Sequence, residues 1–143
     1  MPHIELKTVE QLRWMREAGL VVASIHEALR AVVRPGITTR ELDEVSAQAI
    51  ADGGGASNFL GYYGYPATVC ISVNDVIVHG IPGDYVLKDG DILSIDGGAY
   101  VIDPATNRQW HGDSARTVLV GDNVSEARAE LSAVTREAMW HGI

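Results

Sequence analysis

Residues 90–121 constrain the fold more than any other stretch of the chain. Two runs rich in β-branched and aliphatic residues, Ile-Leu-Ser-Ile-Asp-Gly-Gly-Ala-Tyr-Val-Ile and Trp-His-Gly-Asp-Ser-Ala-Arg-Thr-Val-Leu-Val, flank Asp103, Pro104, Thr106 and Asn107. Those four residues supply the fixed φ and the side-chain hydrogen bonds of a turn, so the stretch reads as a long β-hairpin. Each strand carries one aspartate, Asp96 and Asp113, in a weakly charged run. Antiparallel pairing centred between Pro104 and Ala105 sets the two face to face. Neighbouring ionised carboxylates repel, so in a partly buried site one takes up a proton or a cation sits between them. Gly97, Gly98 and Gly112 flank the pair, and their missing side chains admit a ligand or another backbone. The plainer reading keeps both aspartates as strand ends, or pairs them with Arg108 and Arg116.

The rest of the chain supplies helices to cover such a hairpin. Thr8 with Gln11 three residues on is a capping box, and Leu12, Met15, Gly19, Val22, Ile25 or His26, Leu29 and Val33 recur at helical spacing until Pro35-Gly36. Thr38 and Glu41 repeat the box for a second helix with Leu42, Val45 and Ala49 inward, stopped by Gly53-Gly54-Gly55. Residues 68–73 read as a strand, Asn74-Asp75 as a turn, and residues 76–81 as a returning strand holding His79 near its end. Ser125 and Glu126 open a third helix striped by Ala127, Leu131, Val134 and Ala138, still running at Ile143, so the chain reads as cut rather than finished. The expected class is α+β, an antiparallel sheet with helices packed on one face. Its other face, onto which the carboxylates would project, calls for a partner.

Two further stretches carry candidate chemistry. Phe59 to Pro66 combines permissive glycines with three tyrosines, a composition for a pocket wall or for a loop capping the core. His79 beside Gly80 and Pro82 is a rim residue or a functional one, and Cys70 reads as a small buried hydrophobe.

Composition bounds the rest. At 143 residues the chain suits one domain, residues 1–143, and 19 acidic against 11 basic side chains give a net charge of −8. No Lys/Arg cluster exists to neutralise phosphates, so no nucleic-acid partner is expected. A single cysteine, no apolar leader and no long apolar run favour a cytoplasmic protein without membrane attachment.

Three motifs, in this order, resemble a known family: Gly-Tyr-Tyr-Gly-Tyr-Pro-Ala-Thr-Val-Cys-Ile-Ser-Val-Asn-Asp-Val-Ile-Val-His-Gly-Ile-Pro, then Leu-Lys-Asp-Gly-Asp-Ile-Leu-Ser-Ile-Asp, then His-Gly-Asp-Ser-Ala-Arg-Thr. They look like the type I methionine aminopeptidases of metallopeptidase family M24, whose pita-bread fold has two similar halves. The resemblance runs from about Ile4 to the last residue and covers the first half plus the opening helix of the second. It implies that Asp96 and Asp113 are metal ligands, and that His79 contacts the substrate and assists proton transfer. By the same resemblance Phe59, Tyr62, Tyr65 and Cys70 line the methionine pocket. The implied cofactors are divalent ions, of manganese, iron, cobalt or zinc, and the implied substrate is the N-terminus of a peptide or nascent protein. Because the other half of the site has no counterpart in the chain, a homodimer sharing a dinuclear pair is the expected active form. The competing expectation is a weak or inactive half-length binding module, or a fragment needing a second half in trans.

Overall fold

In the computed structural model, which describes residues 5–143, the elements run α1 (Val9–Val32), α2 (Thr39–Asp52), β1 (Ala56–Ser57), β2 (Val69–Val73), β3 (Ile92–Asp103), β4 (Arg108–Leu119) and α3 (Glu126–Gly142). Both expected capping boxes form. Thr8 and Gln11 exchange side-chain and backbone hydrogen bonds at the start of α1, and Thr38 and Glu41 do so at α2. Each box satisfies N–H groups that a helix start otherwise leaves without partners.

The sheet is antiparallel throughout. β3 is its spine, with β1 and β2 along one side and β4 along the other. Strand alternation sends Leu93, Ile95, Ala99 and Val101 of β3, Val69 and Ile71 of β2, and Trp110 of β4 to one face. There they pack against Ala18, Val21, Val22, Ile25 and Leu29 of α1 and Leu42 and Ile50 of α2 in a single core. The α+β expectation with helices on one face therefore holds. Gly112 explains how closely α1 lies on β4: a Cβ there would sit 2.9 Å from the Ala18 backbone.

Four expectations are corrected. The buried face of α1 is Ala18, Val21, Val22, Ile25, His26 and Leu29, whereas Leu12 and Met15 are 52% and 38% exposed. At that end the core-facing stripe runs through Trp14, which packs against the core, and leaves Leu12 and Met15 to one side of it. Residues 76–81 form no strand: Gly80 is fastened to β2 by Ile71 N–H donating to its carbonyl (2.9 Å) and by its own N–H donating to Ser72 Oγ (3.1 Å), and Val76, Ile77 and Val78 stay exposed. Among the described residues the stripe of α3 meets no covering surface, and the helix has no buried residue. The hairpin register is the fourth. Asp103 accepts from the Ala105 N–H and the Thr106 hydroxyl, and Asn107 takes a left-handed φ of +56°. This closes a loop of residues 104–107 between the Asp103–Arg108 pair, so the turn centre lies one residue later than expected, between Ala105 and Thr106.

Candidate functional site

That displacement moves facing partners by two positions. Asp96 lies opposite Ala115, and Asp113 opposite Gly98, so the aspartates are diagonal neighbours rather than a direct pair. A shift of two preserves the face, and both carboxylates project from the open side of the sheet, away from the helices. Of the three glycines flanking them, Gly98 alone makes room at the pair. A Cβ there would stand 2.8 Å from Asp113 Oδ2, 2.8 Å from Asn58 Nδ2 and 3.0 Å from Phe59 Cε1, whereas Gly97 faces Ile25 and Gly112 faces α1.

Neither aspartate is satisfied by an arginine. Arg108 pairs with Glu5 at 3.5 Å and lies over the Trp110 ring, and Arg116 alternates onto the helix-side face opposite Ile95. Among the described residues, no hydrogen bond or ion pair reaches either carboxylate. Burial, and then the nearby Asp113 charge, push the Asp96 carboxyl above the ordinary carboxylate range. The pair has unspent acceptor capacity and mutual repulsion, which suits hard cations. Among the described residues, no group of three or more His, Cys, Asp and Glu side chains is placed to hold a metal ion. The carboxylates are therefore at most part of a coordination shell.

Beside Asp96 lies a cleft of about 350 Å³ lined by Phe59, Tyr62, Tyr63, Tyr65, Cys70, His79, Ile81 and Asp96. Every residue expected at the pocket meets here. Cys70 is directly opposite Asp96 across β2 and β3 and is 4% exposed. It is the small buried residue its sequence context implied, and it also floors the cleft, where burial raises its thiol pKa. The segment from Phe59 to Tyr65 folds as a short 3-10 turn, Tyr62–Gly64, with Tyr63 at a left-handed φ of +46°. The Tyr65 hydroxyl donates to the Gly80 carbonyl at 2.9 Å, tying the tyrosine turn to the loop that carries His79. Burial drives that hydroxyl's pKa upward, so it stays a proton donor. His79 is exposed and adopts φ +58°, a strained conformation for a residue with a side chain, of the kind that collects at functional sites.

Sequence reasoning missed Asn58. Its N–H donates to Gly98 O at 3.0 Å, its Nδ2 donates to Gly112 O at 3.1 Å, and its Oδ1 meets His111 Nδ1 at 2.8 Å. Through its backbone N–H to β3 and its side chain to β4, Asn58 ties the strand that bears Asp96 to the one that bears Asp113. The only local signal was an amide beside Ser57 in an apolar setting.

The family profile of metallopeptidase family M24 matches residues 13–143. Methionine aminopeptidase 1 of Bacillus subtilis is 46% identical over 96% of this chain and 52% of its own length, and methionine aminopeptidase 1 of Mycobacterium tuberculosis is 45% identical over 96% and 49%. The crystal structure of methionine aminopeptidase from Rickettsia prowazekii superposes with a TM-score of 0.87 at 35% identity, covering 99% of this chain and 54% of that one. Prolidase from Pyrococcus furiosus, at 20% identity and a TM-score of 0.71, shares the fold. The chain belongs to metallopeptidase family M24. Within that family it is a methionine aminopeptidase-like chain, and it spans about half the length of the curated relatives it matches.

Proposed function

We propose that this chain carries one half of a metal-dependent aminopeptidase site that removes N-terminal methionine from peptides or nascent proteins, completed by a second copy of the chain. The observation that carries the reading is the pairing of two unsatisfied carboxylates, Asp96 and Asp113, with an aromatic cleft at their edge. Asp96 and Asp113 are the residues that would hold divalent ions, of manganese, iron, cobalt or zinc. Such ions, when bound, supply a water acidic enough to ionise near neutral pH and polarise a carbonyl.

The chain's own residues account for the remaining work. Phe59, Tyr62, Tyr65 and Cys70 line a largely apolar cleft with room for a thioether side chain, and polarisable sulfur packs well against aromatic rings. His79, at the mouth of the same cleft, is the side chain placed to hydrogen-bond the substrate amide and carry a proton there. Tyr65 holds the His79 loop through Gly80.

Completion by a second copy has support in the sheet. Among the described residues β4 pairs with β3 on one side and with no strand on the other, and it bears Asp113. A two-fold axis beside this edge would bring two Asp113 side chains together with two Asp96 outside them and cover two incomplete faces at once. The exposed apolar residues of α3, with Leu131 62%, Val134 54% and Trp140 64% accessible, favour a second reading, completion in trans by a different polypeptide that covers this helix.

Release of methionine from a Met-Ala peptide, with manganese or cobalt added, tests the proposal. Hydrolysis should be present in the parent protein and lost in Asp113→Asn. Equal turnover by the variant would assign the activity elsewhere and overturn the reading.

A further inference from the structure

A second cleft, of about 470 Å³, lies on the same open face of the sheet beyond Asp113, lined by Asn58, Phe59, Tyr62, Tyr100, Gln109 and His111. It shares Phe59 and Tyr62 with the first cleft, so the two form one trough divided by an aromatic ridge. Tyr100 and His111 face each other across β3 and β4, their ring centroids 5.5 Å apart.

The histidine is oriented by its neighbours. Asn58 Nδ2 donates to the Gly112 carbonyl, which turns Asn58 Oδ1 toward His111 Nδ1. An amide oxygen only accepts, so Nδ1 carries the proton, and in the neutral ring Nε2 presents a lone pair. The cleft thus offers a fixed acceptor for an N–H group beside two tyrosine rings, the pattern of a site for backbone and side chain together. Neither Tyr100 nor His111 has a part in the methionine cleft.

We infer that this second cleft is a distal subsite for the peptide whose first residue occupies the cleft at Asp96, with His111 Nε2 accepting a backbone N–H and Tyr62 and Tyr100 bracketing an aromatic or large apolar side chain. The inference rests on the peptide-binding reading above. Spacing fixes which residue it takes. Asp96 and Tyr100 are four positions apart on one strand, about 13 Å at the rise of an extended chain. A peptide extended along the trough at the same rise brings its fourth or fifth residue, not its second, over Tyr100.

Titration of the 15N-labelled full chain, first without added metal and then with zinc, tests this, with the first peptide bond of each probe reduced to a methylene-amine so that no turnover competes. The probes are Met-Ala-Gly-Gly-Gly amide and its variants with Phe at position three, four or five. Phe at four or five should tighten binding about three- to tenfold, the worth of one aromatic contact, and shift the Tyr100 and His111 resonances, and Tyr100→Ala should remove that gain. Equal affinity wherever Phe is placed, with the Cys70 and Tyr65 resonances still responding, would overturn the distal subsite and leave the first cleft standing. No response at Cys70 or Tyr65 to any peptide would overturn the peptide reading itself, and the subsite with it.

Discussion

Replacing Gly80 by alanine should do more damage than any other single-methyl change near the cleft. A Cβ on Gly80 would lie 2.1 Å from the Ile71 carbonyl oxygen and 2.9 Å from Ser72 Cα. Both are backbone atoms of β2, so no side chain can rotate away. Restoring an ordinary contact of about 3.4 Å means moving the loop outward by about 1 Å or more. Three hydrogen bonds oppose that movement: Ile71 N–H to Gly80 O at 2.9 Å, Gly80 N–H to Ser72 Oγ at 3.1 Å, and Tyr65 hydroxyl to Gly80 O at 2.9 Å. At about 1 kcal/mol for each bond, the variant should lose about 2–4 kcal/mol in urea denaturation, with the m-value unchanged. The same movement displaces His79, so methionine release should fall further than stability. A loss below about 0.5 kcal/mol, within the ordinary range of a surface substitution, would show that the loop is not held against β2 as described.

Other predictions follow from the same geometry. Thr38→Ala removes the cap of α2 and should cost about 1 kcal/mol by the same assay. Asp91 is buried, and although burial works to raise its pKa, hydrogen bonds from the Asn74 side chain, the Lys88 N–H and the Tyr85 hydroxyl hold it below the ordinary carboxylate value. Its contribution is therefore present above the unfolded-state pKa and lost as pH falls through the lower folded one. Asp91→Asn, which turns a donor toward donors, should cost about 1–3 kcal/mol at pH 7 and much less in acid. Asp96 has the opposite sign: its raised folded pKa favours the fold below the ordinary carboxylate range and loses that benefit as pH rises through the folded value. Metal-free Asp96→Asn should accordingly melt higher than the parent at pH 7, with the gap closing in acid. Helix α3 has no buried residue, and in proteins most helical stability comes from packing an apolar face, which this helix lacks. Its amides should exchange with deuterium far faster than those of α1.

Much of this was readable in the chain because the signals were local. A threonine cap and its reciprocal partner three residues on are enough to start α1 and α2, and the hairpin follows from two β-rich runs around Asp103 and Asn107. Register was less readable, because it depends on how many residues the turn consumes, and the left-handed Asn107 shifted it by one position at the centre. Strand parity rescued the site, since a two-position offset keeps Asp96 and Asp113 on one face. Val76, Ile77 and Val78 read as a strand because β-branched residues normally find a sheet. Here Gly80 and Ser72 tie the segment to β2 by a few bonds and leave it irregular, and its apolar side chains remain in the open. Leu131 and Val134 misled in the same way, as a stripe implies a covering surface but does not say which chain provides it. Asn58 was invisible because its importance lies in three contacts with distant strands.

Calorimetric titration with manganese, alongside light scattering of the same samples, tests the central claim most directly. The 15.4 kDa chain should bind the ion and move toward twice its mass as sites fill, and Asp113→Asn should do neither. Binding of equal strength by that variant, or no binding by the parent at millimolar manganese, would contradict a metal half-site built on Asp96 and Asp113.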